Sequence, residues 1–195
     1  HRTTTSYCPP SLPLNSSYLP GGILQSIHGR HSGRITKCYE DHLGRWNSQT
    51  LRLKNSRFIT IITAYRPCTT PLKQDPGSLK IVHQQYRTLR KIGPTSHPRL
   101  RFIHDLKIYI QSLRLGNHDI ILGVDTNTPQ LDTPLAQLLT DCQLIDSLSH
   151  VHDTPTATHT EGNRLDCIFI TDTLLPLIRR TGVVSSDLGA DSDHA

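Results

Sequence analysis

Apolar residues gather into three runs that are too short for helices and too unbroken for half-exposed strands. Arg57–Tyr65 carries Phe58, Ile59, Ile61 and Ile62 among β-branched neighbours. His118–Asp125 carries Ile120, Ile121 and Leu122, and Arg164–Thr171 carries Leu165, Ile168 and Phe169. Such runs suit strands buried inside a sheet. Weaker alternation predicts a strand over Ile23–Ile27 after Gly21-Gly22, with Ile35–Tyr39 as its partner across the His28–Gly33 turn. Gly44-Arg45-Trp46 opens another pairing, in which Leu51 and Leu53 alternate with Arg52 and Lys54. The helical period shows in Leu100, Ile103, Leu106, Ile110 and Leu113, with Pro98 suited to the first turn and Gly116-Asn117 to the stop. A helix over Leu79–Ile92, capped by Ser78 and ended by Gly93-Pro94, and one from Thr133-Pro134 to about Cys142 complete the helices. Residues 69–77 and 147–163 read as loops, and Val183–Ser185 as a last strand. Residues 1–20, rich in Thr, Ser and Pro, lack periodicity and read as a severed N-terminal loop ahead of a domain over 21–195. Strands and helices intermix without strict alternation, which predicts an α+β sandwich rather than a doubly wound sheet.

Composition narrows this picture. At 195 residues the chain suits one domain with a real core. Its 35% apolar content and mean hydropathy of -0.38 include no run near the roughly 20 residues of a membrane helix, so no membrane partner is expected. The start at His1, without Met or a signal sequence, predicts a fragment. Five widely spaced cysteines, with no Cys-x-x-Cys pair, argue against a disulfide framework and a thiolate zinc site and fit a reducing, intracellular compartment, the nucleus included. Cys68 and Cys167 are expected in or near the core. Among twelve scattered His residues, His150 and His152 suit a surface loop. The net charge of +5 suits polyanionic partners such as nucleic acid, and equally ordinary solubility charge. Arg99, Arg101, Lys107 and Arg114, and likewise Arg87, Arg90 and Lys91, read as solvated helix faces or as DNA contacts. Oligomeric state is open.

Chemistry concentrates at the ends of the apolar runs. Asp125 and Asn127, two residues apart, put a carboxylate and an amide on one side if the chain stays extended. They can hold a divalent cation, orient water or contact phosphate, and they equally suit a turn. Asp166 lies inside an apolar strand and needs a partner; that partner is Arg164 in a structural role, or an imidazole in a catalytic one. Ser192-Asp193-His194 offers a metal ligand beside that imidazole, or a solvated acidic tail with Asp187 and Asp191. No Gly-x-Ser-x-Gly elbow surrounds any Ser.

The ordered set resembles the endonuclease/exonuclease/phosphatase family. Gly123-Val124-Asp125-Thr126-Asn127 is similar to its Gly-Asp-x-Asn element with one residue inserted. Thr158-His159-Thr160 and Arg164-Leu165-Asp166-Cys167-Ile168-Phe169 resemble its Thr-rich loop and Arg-Ile-Asp-Tyr-Ile strand, with Cys167 in place of the aromatic. Ser192-Asp193-His194 matches the closing Ser-Asp-His, and Thr63-Ala64-Tyr65-Arg66-Pro67-Cys68 the strand bearing a phosphate-side Tyr. Pro20-Gly21-Gly22, Gly44-Arg45-Trp46 and Tyr65-Arg66-Pro67-Cys68 point to the endonuclease domain of non-LTR retrotransposon-type reverse transcriptase proteins. The resemblance implies a four-layer α/β/β/α sandwich, incomplete at both termini, and a DNA-nicking endonuclease of a retroelement. Asp125 would position the attacking water with Asn127, Asp193 and Asp125 would serve Mg²⁺ or Mn²⁺, Asp166 would orient His194, and Tyr65 would bind a phosphate oxygen. Other phosphate esters, RNA or an inositol phosphate, are the alternative substrates.

The pattern departs from the family in three places. The family's metal-binding Glu has no counterpart: the only Glu residues are Glu40 and Glu161, both out of order. No apolar strand with Asn precedes Gly21, and no strand follows His194. Weak or absent activity is therefore expected, and a catalytically dead nucleic-acid-binding remnant is the reading from a different class.

Overall fold

The computed structural model describes residues 1–7, 22–72, 78–93, 96–129, 131–152 and 157–183. Two sheets form. β1 (Arg2–Ser6) and β2 (Ile23–Ile27) make an antiparallel ribbon. β3 (Ile35–Glu40), β4 (Trp46–Arg52), β5 (Phe58–Tyr65), β6 (His118–Asp125), β7 (Leu144–Asp146) and β8 (Asp166–Thr171) make a six-stranded sheet in the order β3-β4-β5-β6-β8-β7. Among the described strands only β5 and β6 run parallel, and the two helices α1 (Ile81–Ile92) and α2 (Pro98–Leu115) lie between them in sequence, as a parallel crossover requires. α3 (Thr133–Cys142) follows β6. This is the expected α+β sandwich flanked by helices.

The large sheet has two unlike faces. Strand alternation turns Trp46, Ile62, Ala64, Ile120, Leu122, Val124, Cys167 and Phe169 towards Phe102, Ile103, Leu106 and Ile110 of α2 and Leu135, Leu138 and Leu139 of α3. That is the apolar core. The opposite face of β4 and β5 carries polar residues to the ribbon. Asn47 Nδ2 donates to Thr4 O (3.4 Å) and Ile23 O (3.3 Å), Gln49 Nε2 to Thr4 Oγ1 (3.0 Å) and Gln25 O (3.2 Å), and Gln25 Nε2 to Ile61 O (3.2 Å). The sheets are thus joined by amides.

Several expectations are corrected. Arg2–Ser6, expected as loop, is a strand; its inward residues Thr4 and Ser6 are buried against amides, so no apolar alternation marks it. Ile23–Ile27 pairs with Arg2–Ser6, not with Ile35–Tyr39. A 3₁₀ segment over Gly29–Arg34, with Gly29 at φ 65°, carries the chain to the other sheet, where β3 pairs with β4. There Asp41 closes the connection by accepting from Leu43 N (3.1 Å), Arg45 N (3.2 Å) and Arg45 Nε (2.7 Å). Leu100 is exposed, and Phe102 takes its place in the buried stripe. Ser78 caps the turn before α1 by accepting from Lys80 N (3.3 Å); the helix begins at Ile81 without a side-chain cap. Asp132, just ahead of Thr133-Pro134, caps α3 through Leu135 N (3.2 Å). Val183 carries no regular structure, and the rest of the expected last strand lies outside the described residues. Among the described residues no helix is long and apolar enough to cross a membrane.

Candidate active site

Sheet register brings three of the expected residues together. β5 and β6 align Tyr65 opposite Asp125, and β6 and β8 align Asp125 opposite Asp166. With Ala64, Val124 and Cys167 turned to the core, alternation turns Tyr65, Asp125 and Asp166 to the other face. Three neighbouring strands therefore offer a phenol and two carboxylates at one level. They edge a cleft of ≈ 590 Å³ whose walls include Gly22, Ile23 and Leu24 of the ribbon, Thr158, Arg164 and Thr181.

Asn127 joins them by a different route from the one expected. The chain does not stay extended past Asp125: Asn127 takes φ 47°, a left-handed conformation that Asn tolerates. Its side chain folds back, so that Asn127 N donates to Asp125 Oδ1 (2.9 Å) and Nδ2 donates to Arg66 O (2.7 Å) and Asp125 Oδ2 (3.3 Å). The amide oxygen accepts from the Cys68 thiol (3.1 Å), and Tyr65 Oη lies 3.6 Å from that sulfur. A thiol has one hydrogen, and it is used on Asn127, so the phenol is the donor to sulfur. The hydrogen bonds run from Tyr65 to Cys68 to Asn127 and end on the Asp125 carboxylate, which accepts. Burial, then the bond and charge of Cys68, then the charge of Asp125, push the Tyr65 hydroxyl well above its ordinary range, with Asn127 partly offsetting. The phenol stays protonated and neutral.

A second layer fixes these turns. Arg66 N donates to Asp125 O (3.0 Å), and Arg99 Nη1 and Nη2 donate to Pro67 O (2.7 Å) and Thr126 O (3.3 Å). Buried Arg66 pairs with Asp132 (2.8 Å), and Arg99 sits 3.8 Å from the same carboxylate. Burial, then the like charge of Arg66, lower the Arg99 pKa. On the far side, the Thr158 hydroxyl accepts from Leu165 N (3.0 Å) and Asp166 N (2.9 Å), holding the start of β8. Arg164, the expected structural partner of Asp166, instead forks onto Asp146 (2.7 and 2.7 Å).

Sequence reasoning missed the part played by Cys68. It was expected in or near the core, yet it is exposed at the site, because the loop after Pro67 turns it outward; Cys167 is buried as expected. The signal was its place three residues after Tyr65. Asp193 and His194, with Ser192, lie outside the described residues. Among the described residues no three His, Cys, Asp or Glu side chains gather as a ligand cluster.

No protein-family sequence profile matches the chain, and no curated protein matches it by sequence. Solved structures do match in fold. A 3′-5′ exonuclease (NExo) from Neisseria meningitidis aligns over 79% of this chain and 63% of its own, with a TM-score of 0.52 and 16% identity. The fold is that of the endonuclease/exonuclease/phosphatase proteins. The human nocturnin catalytic domain aligns over 71% of this chain and 45% of its own (TM-score 0.44, 18% identity), and the Xenopus laevis APE2 catalytic domain over 70% and 48% (TM-score 0.44, 19% identity). The chain thus matches between 45% and 63% of these endonuclease/exonuclease/phosphatase structures. Within this fold Glu40 and Glu161 are exposed, on the edge strand β3 and in the loop before β8, and neither lines the cleft.

Proposed function

We propose that this chain is a divalent-metal-dependent phosphodiesterase whose substrate is DNA, with nicking for a retroelement as its setting. The observation that carries the reading is the register of Tyr65, Asp125 and Asp166 on one sheet face, with Asn127 folded onto Asp125. The donors on that face are oxygen atoms, which suit Mg²⁺ or Mn²⁺. Asp125 and Asp193 would hold the ion, and the bound ion would neutralise charge building on the phosphate. Asp125, its orientation set by two bonds from Asn127, positions the water for attack. Asp166 is held by Thr158 where it would orient His194, and Tyr65 supports a phosphate oxygen. NExo is named a 3′-5′ exonuclease, which agrees with a nucleic-acid phosphodiester.

The test is nicking of supercoiled plasmid and hydrolysis of bis(p-nitrophenyl) phosphate with Mg²⁺ or Mn²⁺ against EDTA. Slow metal-dependent turnover is expected, reduced about a hundredfold or more in Asp125→Asn. A folded protein that hydrolyses neither substrate would overturn the reading. One observation favours a second reading, a nucleic-acid-binding remnant: both Glu side chains stand outside the cleft. DNA binding without turnover would support it.

A further inference from the structure

Several of the cations expected as DNA contacts on the helices are already committed, although, among the described residues, exposed Lys91 is not. Arg99 holds Pro67 O and Thr126 O, Arg101 pairs with Asp105, Lys107 with Asp141, and Arg87 donates to Ser78 O. At the other end of the large sheet the opposite holds. Arg34, Lys37, Arg52 and Lys54 are exposed, and among the described residues none of them makes an ion pair or a side-chain hydrogen bond. Arg34, Arg52 and Lys54 border one shallow concavity with Gly33, Thr36 and Leu53, and no carboxylate lines it. Lys37 is close enough to His118 to depress its pKa, after burial, which ties it to the same end. Asp119 also reaches this end, and it is taken up by Arg57 and by the Thr173 hydroxyl. Asp172 accepts from Thr173 N (2.8 Å).

We infer that this end of the sheet is a second contact surface for nucleic-acid phosphates, separate from the cleft; the inference rests on the nucleic-acid reading above. Arg52 lies in register with Phe58 at the start of β5, and Tyr65 stands at its end. Seven residue steps of strand place the patch about 23 Å from the cleft, roughly seven base-pair steps of duplex. The cations are spread over the end of the 3₁₀ segment (Arg34), β3 (Lys37), β4 (Arg52) and the turn at Lys54 rather than converging on a point. Spread, unpaired cations suit a chain of phosphates better than a single anion. Side chains of this kind position a nucleic acid without reading its sequence.

The experiment is fluorescence anisotropy of a duplex of about 30 base pairs between about 50 and 200 mM NaCl, comparing wild type with Arg34→Gln/Lys37→Gln/Arg52→Gln/Lys54→Gln. If each cation meets a phosphate, the slope of log K against log salt becomes shallower by about 0.9 per residue, about 3.6 in total. All four positions are exposed, so the variant should fold; Arg34→Gln/Lys54→Gln, with a change of about 1.8, is the milder second variant. Equal slopes in wild type and both variants would overturn the patch, as would wild-type protein that binds acidic phosphatidylserine vesicles and not DNA. Hydrolysis of bis(p-nitrophenyl) phosphate is read in parallel. A patch that fails leaves that turnover in place, whereas a failed enzyme reading loses turnover and keeps the salt slope.

Discussion

Asn127 is the residue on which the site's order turns. It contributes an amide N–H, an amide oxygen and a backbone N–H, and all three are used. Replacing it by Ala removes the bond from Nδ2 to Asp125 and the acceptor for Cys68, so that of its two bonds to Asp125 only the one from the residue 127 backbone N–H still orients the carboxylate. The expected result is a fall in kcat of about a hundredfold with a smaller change in KM, since misplacing a group by about 1 Å has that effect. Steady-state kinetics on bis(p-nitrophenyl) phosphate checks it, and an unchanged kcat would remove Asn127 from the machinery. Cys68 gives a second prediction. Burial pushes the Cys142 and Cys167 thiols up to about 11 and shields both, whereas Cys68 is exposed. Of these three, Cys68 should be alkylated first by iodoacetamide at pH 8, as peptide mass mapping would show, and Cys68→Ser should keep the donor to Asn127. Tyr65, Asp125 and Asp166 were legible in the sequence because each sits at the end of an apolar run. Cys68 was not, since a thiol following a Pro carries no mark of exposure.

At the scale of elements, three chain segments meet at one carboxylate. Asp132 caps α3, pairs with Arg66 just past β5, and lies beside Arg99 in the first turn of α2. Arg66 is 1% exposed and Asp132 34%. Asp132→Ala should therefore destabilise by about 3 kcal/mol, the low end for a broken buried pair, and Asp132→Asn, which keeps a cap, by about 1 kcal/mol less. Urea melts measure both. The pH dependence has a definite sign. Burial alone would raise the Asp132 pKa, but the bond and charge of Arg66, the Leu135 N–H and the charge of Arg99 outweigh it and hold the carboxyl below its ordinary 3.8. Asp105 and Asp146 are depressed in the same way, by Arg101, His104 and Arg45 and by Arg164 and Ser149, again against burial. A depressed folded pKa gives stability that is complete above the unfolded value and lost as pH falls through the folded one. Stability should be flat at neutral pH and decline below about pH 4, and Asp132→Asn should soften that decline. An acid limb identical in wild type and variant would rule the linkage out. The elements built on apolar runs, β5, β6 and β8, were readable from sequence, as was α2 apart from Leu100. β2 was readable too, but β1 and its pairing with β2 were not, because the inward Thr4 and Ser6 of β1 give no apolar alternation and the pairing is remote in sequence.

For the whole molecule, the two faces of the large sheet set different stabilities. The helix side buries Ile62, Ile120, Leu122 and Phe169 completely, and each such side chain contributes about 2 kcal/mol. The ribbon side rests on amide hydrogen bonds worth about 1 kcal/mol each net, and a two-stranded ribbon has little stability alone. Among the described residues Gln25 Oε1, Asn47 Oδ1 and Gln49 Oε1 are buried there and accept no hydrogen bond from a protein group. The ribbon should therefore open without the core unfolding. This matters for function, because Gly22, Ile23 and Leu24 wall the cleft beside Asp125 and Asp166. Native-state hydrogen exchange should show β1 and β2 amides exchanging at least about tenfold faster than those of β5 and β6, a gap of about 1.4 kcal/mol. Gln49→Ala, which removes the bonds to Thr4 and Gln25, should widen that gap by speeding the ribbon and leaving β5 and β6 unchanged. Equal protection across both sheets in wild type and variant would mean that the amide layer binds the ribbon as firmly as the apolar core binds the helices, and that the cleft wall opens only when the whole domain does.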